Sequence, residues 1–232
     1  QPIVSKPYID MTMKLMKTFG VHSCWLTKDK IEIPAPQVYQ PTQVAIEPDA
    51  SSASYFLGAC ILTQQACSFE GFSEDSLQGD LKLLEVLKEM GCSFKFENNC
   101  LKFYPPEKPL KSICVDMSQM TDVVPTLACL CLFAKGESKI TNIEHMRTKE
   151  SDRVSVLSQE LKNLGANIRE QKDALIIQGG TPLKPATLSS HGDHRMVMSF
   201  LMLKKVIPDL EVSGSDCVTK SYPDFPKDME TF

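Results

Sequence analysis

Apolar positions along the chain switch between a period near 3.6 and a period of 2, and they do so in the same order more than once. Residues 5–20 place Ile9, Met13, Leu15, Met16 and Phe19 on one face and end at Gly20, which predicts an amphipathic helix with a glycine stop. The runs 21–26 and 31–33, split by Thr27-Lys28-Asp29-Lys30, predict two strands, and Pro34, Pro36 and Pro41 exclude helix beyond them. Val44-Ala45-Ile46 predicts a short strand leading to Asp49. The same order recurs in a helix over 78–90 stopped by Gly91, with strands at 92–96 and 101–104, and in a helix over 151–164 stopped by Gly165, with strands at 166–169 and 174–177. The stop glycines lie 71 and 74 residues apart, and Asp10, Asp80 and Asp152 mark the first turns of the three helices.

A second series interleaves with the first. Asp49, Asp122 and Asp193, spaced by 73 and 71 residues, each precede a segment that is apolar nearly all round. Aspartate is a good N-cap, Pro125 is tolerated in a first turn, and helices of this kind belong in a core. A strand follows each: 67–69, 138–143 and 210–212. The unit is therefore about seventy residues of β–α–β–α–β–β type, longer than the ~20–50 residues of common solenoid repeats. A domain built from a few such α/β copies around a pseudo-symmetry axis could aim several helix N-termini at one place, which suits a polyanionic ligand.

Composition narrows the function. The chain has 232 residues, 42% hydrophobic and 23% charged, an ordinary globular balance. No apolar run reaches the roughly 20 residues of a membrane span, and no secretory signal is visible. A net charge of −4 offers no basic footprint for nucleic acid. Nine scattered cysteines favour free thiols in a reducing compartment, the cytoplasm, with a plastid as the alternative. Four dispersed histidines predict no metal site. The opening Gln1-Pro2-Ile3-Val4 lacks Met and reads as the inside of a domain, so a piece of a longer protein is expected.

The densest chemistry is Arg147-Thr148-Lys149-Glu150-Ser151-Asp152-Arg153, between a predicted strand and a predicted helix. A helix start with free N–H groups, a positive dipole end, Lys149 and Arg153 makes an anion site, and Glu150 adds an acid–base group. The plain alternative is a charge-capped helix start with Thr148 as N-cap. Asp122 is either an N-cap or a carboxylate facing a cleft. His194 and Arg195 place two cation-capable groups against a helix dipole, which favours an anion nearby. Lys220 and the pair Ser5 and Tyr8 are ordinary surface or capping residues when taken alone.

Together these motifs are more specific. Asp49-Ala-Ser-Ser-Ala-Ser-Tyr, Lys149-Glu-Ser-Asp-Arg153, Asp193-His-Arg-Met-Val-Met and Val218-Thr-Lys-Ser-Tyr-Pro-Asp-Phe225 resemble the 5-enolpyruvylshikimate-3-phosphate synthase family, in order and spacing, from Ser5 to Phe225. The resemblance implies an inside-out α/β fold of βαβαββ units. It also implies metal-free and cofactor-free transfer of the enolpyruvyl group of phosphoenolpyruvate to the 5-hydroxyl of shikimate 3-phosphate, with release of phosphate, in the shikimate pathway to chorismate and the aromatic amino acids. By motif, Arg153, His194, Arg195 and Lys220 are expected at phosphoenolpyruvate. Ser5, Tyr8, Asp122, His145 and Lys149 are expected at shikimate 3-phosphate, with Asp122 as base and Glu150 as the group exchanging a proton with the methylene carbon. His145 stands where many members have Asn, and Pro48 where Gly is usual.

The family's amino-terminal half has no counterpart here, including its Lys-Ser-Arg group, Gly-rich loop and Ser-Ser-Gln site. The resemblance thus implies that residues 1–46 are the last unit of one domain and 47–232 most of the other, with the missing half as a partner. The chain alone is expected to turn over little, since half a site loses positioning as well as charge. The alternatives are an inactive fragment or anion-binding module of the same fold, and a relative of UDP-N-acetylglucosamine enolpyruvyl transferase.

Overall fold

A computed structural model describes residues 3–232, so Gln1 and Pro2 of the opening stretch lie outside it. Helix α1 (Lys6–Thr18) starts with Pro7 in its first turn and stops before Gly20, whose φ of +81° suits glycine. Strands β1 (Cys24–Thr27) and β2 (Lys30–Glu32) form an antiparallel hairpin. The Trp25 indole N–H donates to Asp10 Oδ1 at 2.7 Å, and the Lys6 ammonium sits 4.6 Å from the Trp25 ring centroid, so the hairpin is held against the polar edge of α1. The strand expected at 44–46 does not form. No strand among the described residues pairs with it, and Ile46 is 84% exposed.

The remainder follows the repeat. Helix α2 (Ala50–Thr63) leads to β3 (Cys67–Glu70), then through a 3-10 turn at Gly79–Lys82 into α3 (Leu83–Glu89), β4 (Ser93–Glu97) and β5 (Cys100–Tyr104). The antiparallel sheet order is β3-β5-β4. The next copy is complete. It runs β6 (Cys114–Asp116), a 3-10 turn at Thr121–Val123, α4 (Val124–Cys131), β7 (Glu137–Thr141), a 3-10 turn at Glu144–Thr148, α5 (Arg153–Asn163), β8 (Asn167–Gln171) and β9 (Ala174–Gln178). Its sheet is ordered β6-β7-β9-β8, with β6 and β7 parallel and the other pairs antiparallel. The last copy gives β10 (Thr187–Ser189), α6 (His194–Leu203) and β11 (Glu211–Ser213), with β10 and β11 parallel, then a 3-10 turn at Ser215–Lys220 and α7 (Phe225–Thr231).

The apolar helices α2, α4 and α6 pack on one another at the centre, and the sheets lie outside them. Every residue of α4 is buried. Ser54 and Thr126 hydroxyls meet at 2.9 Å between α2 and α4, and at Gly58 a Cβ would collide with Met202 of α6. This is the inside-out α/β architecture.

Three local expectations change. The helix expected over 78–90 is a 3-10 turn followed by a short α-helix. The helix expected from 151 starts at Arg153, because Asp152 rather than Thr148 is the N-cap and accepts from the Ser155 N–H at 3.0 Å. Cys60 and Cys67 form a disulfide where free thiols are expected, because the short turn from α2 into β3 brings their Cα atoms to 6.6 Å; the other seven cysteines are free.

Candidate functional site

The N-termini of α4, α5 and α6, the loop just before α5 and the 3-10 turn Ser215–Lys220 deliver the charged residues to one place. Aspartate caps α2 and α6 at matching positions: Asp49 accepts from the N–H groups of Ser51 and Ser52, and Asp193 from that of Arg195. Asp122 occupies the same position in the middle copy but caps nothing. The chain enters α4 through the 3-10 turn, which leaves both Asp122 oxygens free to face across the layer. They accept from two arginines, Oδ1 from Arg153 Nη1 at 3.0 Å and Oδ2 from Arg195 Nη2 at 2.8 Å.

Arg153 is the hub. Its side chain is 1% exposed, and its Nε and Nη2 donate to the two oxygens of Asp193 at 2.7 and 3.3 Å. Nη2 also reaches Glu150 Oε2 at 2.8 Å. Of the five N–H donors of a guanidinium, one on Nη1 remains uncommitted. Glu150 Oε1 accepts from the Lys220 ammonium at 2.7 Å. The result is a continuous ion-pair chain, Lys220–Glu150–Arg153–Asp122–Arg195, with Asp193 behind it, in which three cations face three carboxylates. Burial opposes the charge on Glu150, but the Lys220 hydrogen bond and the Arg153 guanidinium outweigh it and hold the carboxyl at about 2.

His194, the first residue of α6, is 5% exposed, and its Nδ1 lacks a hydrogen-bond partner, with Asp193 Oδ1 at 3.9 Å. Burial and the adjacent Arg195 push its pKa down, so the conflict of two cations with the α6 dipole does not arise: His194 is neutral at neutral pH. His145, in the 3-10 turn before Lys149, has a buried Nε2 without a partner, and burial and Lys149 lower its pKa likewise. Lys149 itself is exposed and makes no ion pair with the described residues.

The start of α1 reaches the same site. The Ser5 hydroxyl makes no cap bond, and the Ser5 N–H donates to the Ser118 carbonyl at 3.3 Å, just before the Asp122 turn. The Tyr8 hydroxyl lies 3.5 Å from Asp122 Oδ2. Asp122, Glu150, Arg153, Arg195 and Lys220 are therefore joined directly and Tyr8 adjoins them, while Ser5, His145 and Lys149 sit at the margin. Arg147 stands apart, bonded to Asp152 and Glu170, and holds the loop rather than the cluster.

Sequence reasoning missed Asp193 as the buried counter-ion of Arg153, and Asp80. The latter was legible only as the acidic mark of a helix start in the repeat.

The model of the family EPSP synthase (3-phosphoshikimate 1-carboxyvinyltransferase) matches residues 1–229. A Nostoc punctiforme protein named 3-phosphoshikimate 1-carboxyvinyltransferase is 37% identical over 223 residues, which is 96% of this chain and 52% of that protein. A chloroplastic protein of the same name from Brassica napus is 35% identical over 99% of this chain and 46% of its own length. The chain spans about half the length of the curated relatives it matches. An EPSP synthase structure from Acinetobacter baumannii superposes with a TM-score of 0.78 at 24% identity, covering 95% of this chain and 53% of that one. The enolpyruvyl transferase NikO from Streptomyces tendae superposes with a TM-score of 0.80 at 18% identity, covering 99% and 53%. These two likenesses carry the fold alone.

Proposed function

The chain belongs to the EPSP synthase family, and we propose that it supplies the phosphoenolpyruvate-binding half of a 3-phosphoshikimate 1-carboxyvinyltransferase. The observation that carries this is the ion-pair chain of Asp122, Glu150, Arg153, Arg195 and Lys220, gathered from separate elements at helix N-termini. In this reading residues 1–46 and 47–232 belong to two domains, and the rest of the relatives' length completes the phosphoshikimate side.

Arg195 and Lys220, neutral His194 and the one free N–H of Arg153 receive the carboxylate and phosphate of phosphoenolpyruvate. Ser5, Tyr8, His145 and Lys149 line the approach of shikimate 3-phosphate. Asp122 takes the proton of the 5-hydroxyl as its oxygen bonds to C2 of phosphoenolpyruvate, while C3 gains a proton from the Lys220–Glu150 pair. That pair stores one proton on the 2.7 Å hydrogen bond. Elimination reverses the C3 step: C3 returns its proton, the C2–O bond to phosphate breaks and the double bond re-forms. Before substrate arrives the carboxylates occupy the arginine forks, so binding requires the guanidinium groups to exchange one acceptor for another rather than to move into place.

The test is phosphate release from phosphoenolpyruvate plus shikimate 3-phosphate, using this chain mixed with the separately expressed other half of the Nostoc punctiforme relative. Release is expected on mixing, is expected to drop about 10²–10⁴-fold in Glu150→Gln, and is not expected when UDP-N-acetylglucosamine replaces shikimate 3-phosphate. A folded, associated and silent mixture would leave an anion-binding module of this fold in place of the enzyme.

A further inference from the structure

The proposed reaction leaves Asp122 with a proton, and a second buried carboxyl stands behind it. Asp80, in the 3-10 turn Gly79–Lys82, is 4% exposed. Its Oδ2 accepts from the Tyr8 hydroxyl at 2.8 Å and from the Ser51 hydroxyl, and its Oδ1 is buried without a partner. The Tyr8 oxygen lies 3.5 Å from Asp122 Oδ2. The one phenol proton of Tyr8 goes to Asp80 at 2.8 Å, with Asp122 Oδ2 as its more distant acceptor at 3.5 Å, and once Asp122 carries a proton the Tyr8 oxygen can accept it. The groups facing Asp80 come from four elements: Tyr8 from α1, Ser51 from α2, Asp122 from the turn before α4, and Arg195 from α6.

Resting on the transferase reading, we infer that Asp80 is a positioning residue that receives, through Tyr8, the proton Asp122 takes from the substrate hydroxyl. The shift balances. Asp122 Oδ2–H gives its proton to the Tyr8 oxygen as the Tyr8 proton passes to Asp80 Oδ2. Two O–H bonds break and two form, Tyr8 ends as a phenol, Asp122 is again a carboxylate, and Asp80 ends neutral. The environment suits each station. Burial favours the neutral form of Asp80, and the charge of Asp122 adds to it, against the hydrogen bonds of Ser51 and Tyr8 and the charge of Arg195; the balance is a raised pKa. Burial, Asp80 and Asp122 drive the Tyr8 phenol far above its ordinary range, so it passes a proton without dwelling as phenolate. A bond that merely ties α1 to the turn at Gly79–Lys82 would need none of the 3.5 Å approach to Asp122.

The experiment assays phosphate release by the mixed halves with Asp80→Asn, Asp80→Glu, Tyr8→Phe and the double variant Asp80→Asn/Tyr8→Phe, across pH. Each of Asp80→Asn and Tyr8→Phe is expected to lower the maximal rate about ten- to a hundredfold, with the KM for phosphoenolpyruvate moved far less. The double variant is expected to lose no more than either single one, because both break the same relay. The unmodified protein is expected to slow as pH falls and Asp80 takes up its proton; Asp80→Asn is expected to lack that limb, and Asp80→Glu to restore part of the rate. An Asp80→Asn protein with the unmodified rate and pH profile overturns the proposal, as do losses that add in the double variant. Should Asp80→Asn not fold, Tyr8→Phe decides through the same limb. An unmodified mixture that releases no phosphate sinks the transferase reading itself, a result distinct from active protein indifferent to Asp80.

Discussion

Arg153→Met is the substitution the fold should feel most. Methionine keeps an unbranched stem and the helix propensity, and removes the charge together with its hydrogen bonds. The guanidinium is 1% exposed, and its closest partner, Asp193, is fully buried at 2.7 Å. Without Arg153, Asp122 keeps Arg195 at 2.8 Å and Glu150 keeps Lys220 at 2.7 Å. Asp193 keeps only neutral donors, the Ser151 hydroxyl at 3.1 Å and the Arg195 N–H at 3.0 Å. The cost therefore falls on one buried carboxylate stripped of its cation, which is worth about 3–5 kcal/mol. For a chain of this size that lowers the melting temperature by about 6–20 °C. Lys220→Met is the control: its ammonium is 60% exposed on the same cluster, so about 1 kcal/mol or less is expected.

Arg153→Lys should recover only part of the loss, since an ammonium cannot fork to three carboxylates. Thermal unfolding followed by circular dichroism reads both substitutions. An Arg153→Met protein melting within about 2 °C of the unmodified one would refute the hub reading, because stripping a buried carboxylate of its cation should cost several times that.

Three further outcomes follow from other parts of the molecule. Glu150, held at about 2, contributes stability that is complete above its ordinary value of 4.5 and is lost as pH falls through about 2; acid unfolding of Glu150→Gln should therefore show a shallower stability slope across that window. Gly179→Ala would drive its Cβ into the Ala134 and Cys131 carbonyl oxygens, backbone atoms that cannot swing away, so a loss of about 3 kcal/mol or more is expected in denaturant titration. Alkylation of unfolded protein without reductant should label seven of the nine cysteines and spare Cys60 and Cys67; reduction of that short loop should cost about 2–3 kcal/mol.

The repeat was readable because its marks are local. A glycine stop, an acidic first turn and an apolar run each act over a few residues, so Gly91, Gly165, Asp49 and Asp193 announce their elements without help from the rest of the fold. What stayed hidden depends on distance. The strand at 44–46 has the right residues but no neighbour to pair with, and strand identity is a property of the pair. The Cys60–Cys67 disulfide follows from a turn geometry that spacing does not encode. In the site, residue types pointed to cations for an anion, yet the partner of Arg153 is 40 residues away in Asp193, and Asp80 meets Tyr8 across 72. His194 reads as cation-capable in the sequence, whereas burial and the adjacent Arg195 favour its neutral form.

The pseudo-symmetry explains why one aspartate of three can serve chemistry. Asp49 and Asp193 satisfy orphan N–H groups of α2 and α6, and removing either would leave first-turn donors without their side-chain acceptor. At the third position the chain enters α4 through a 3-10 turn with Pro125 in the first helical turn, and proline has no N–H to satisfy. The capping demand is thus reduced at the one place where the carboxylate turns outward to Arg153 and Arg195. A return to the repeat pattern is testable there. Pro125→Ala restores an N–H within reach of Asp122 and gives the carboxylate a local partner that competes with the arginines. The expected result is a protein at least as stable as the unmodified one in thermal unfolding, with phosphate release by the mixed halves lowered about tenfold or more as Asp122 turns toward its own helix. Equal stability with unchanged release would mean that proline is there for the bend alone, and that Asp122 owes its orientation to the two guanidinium groups.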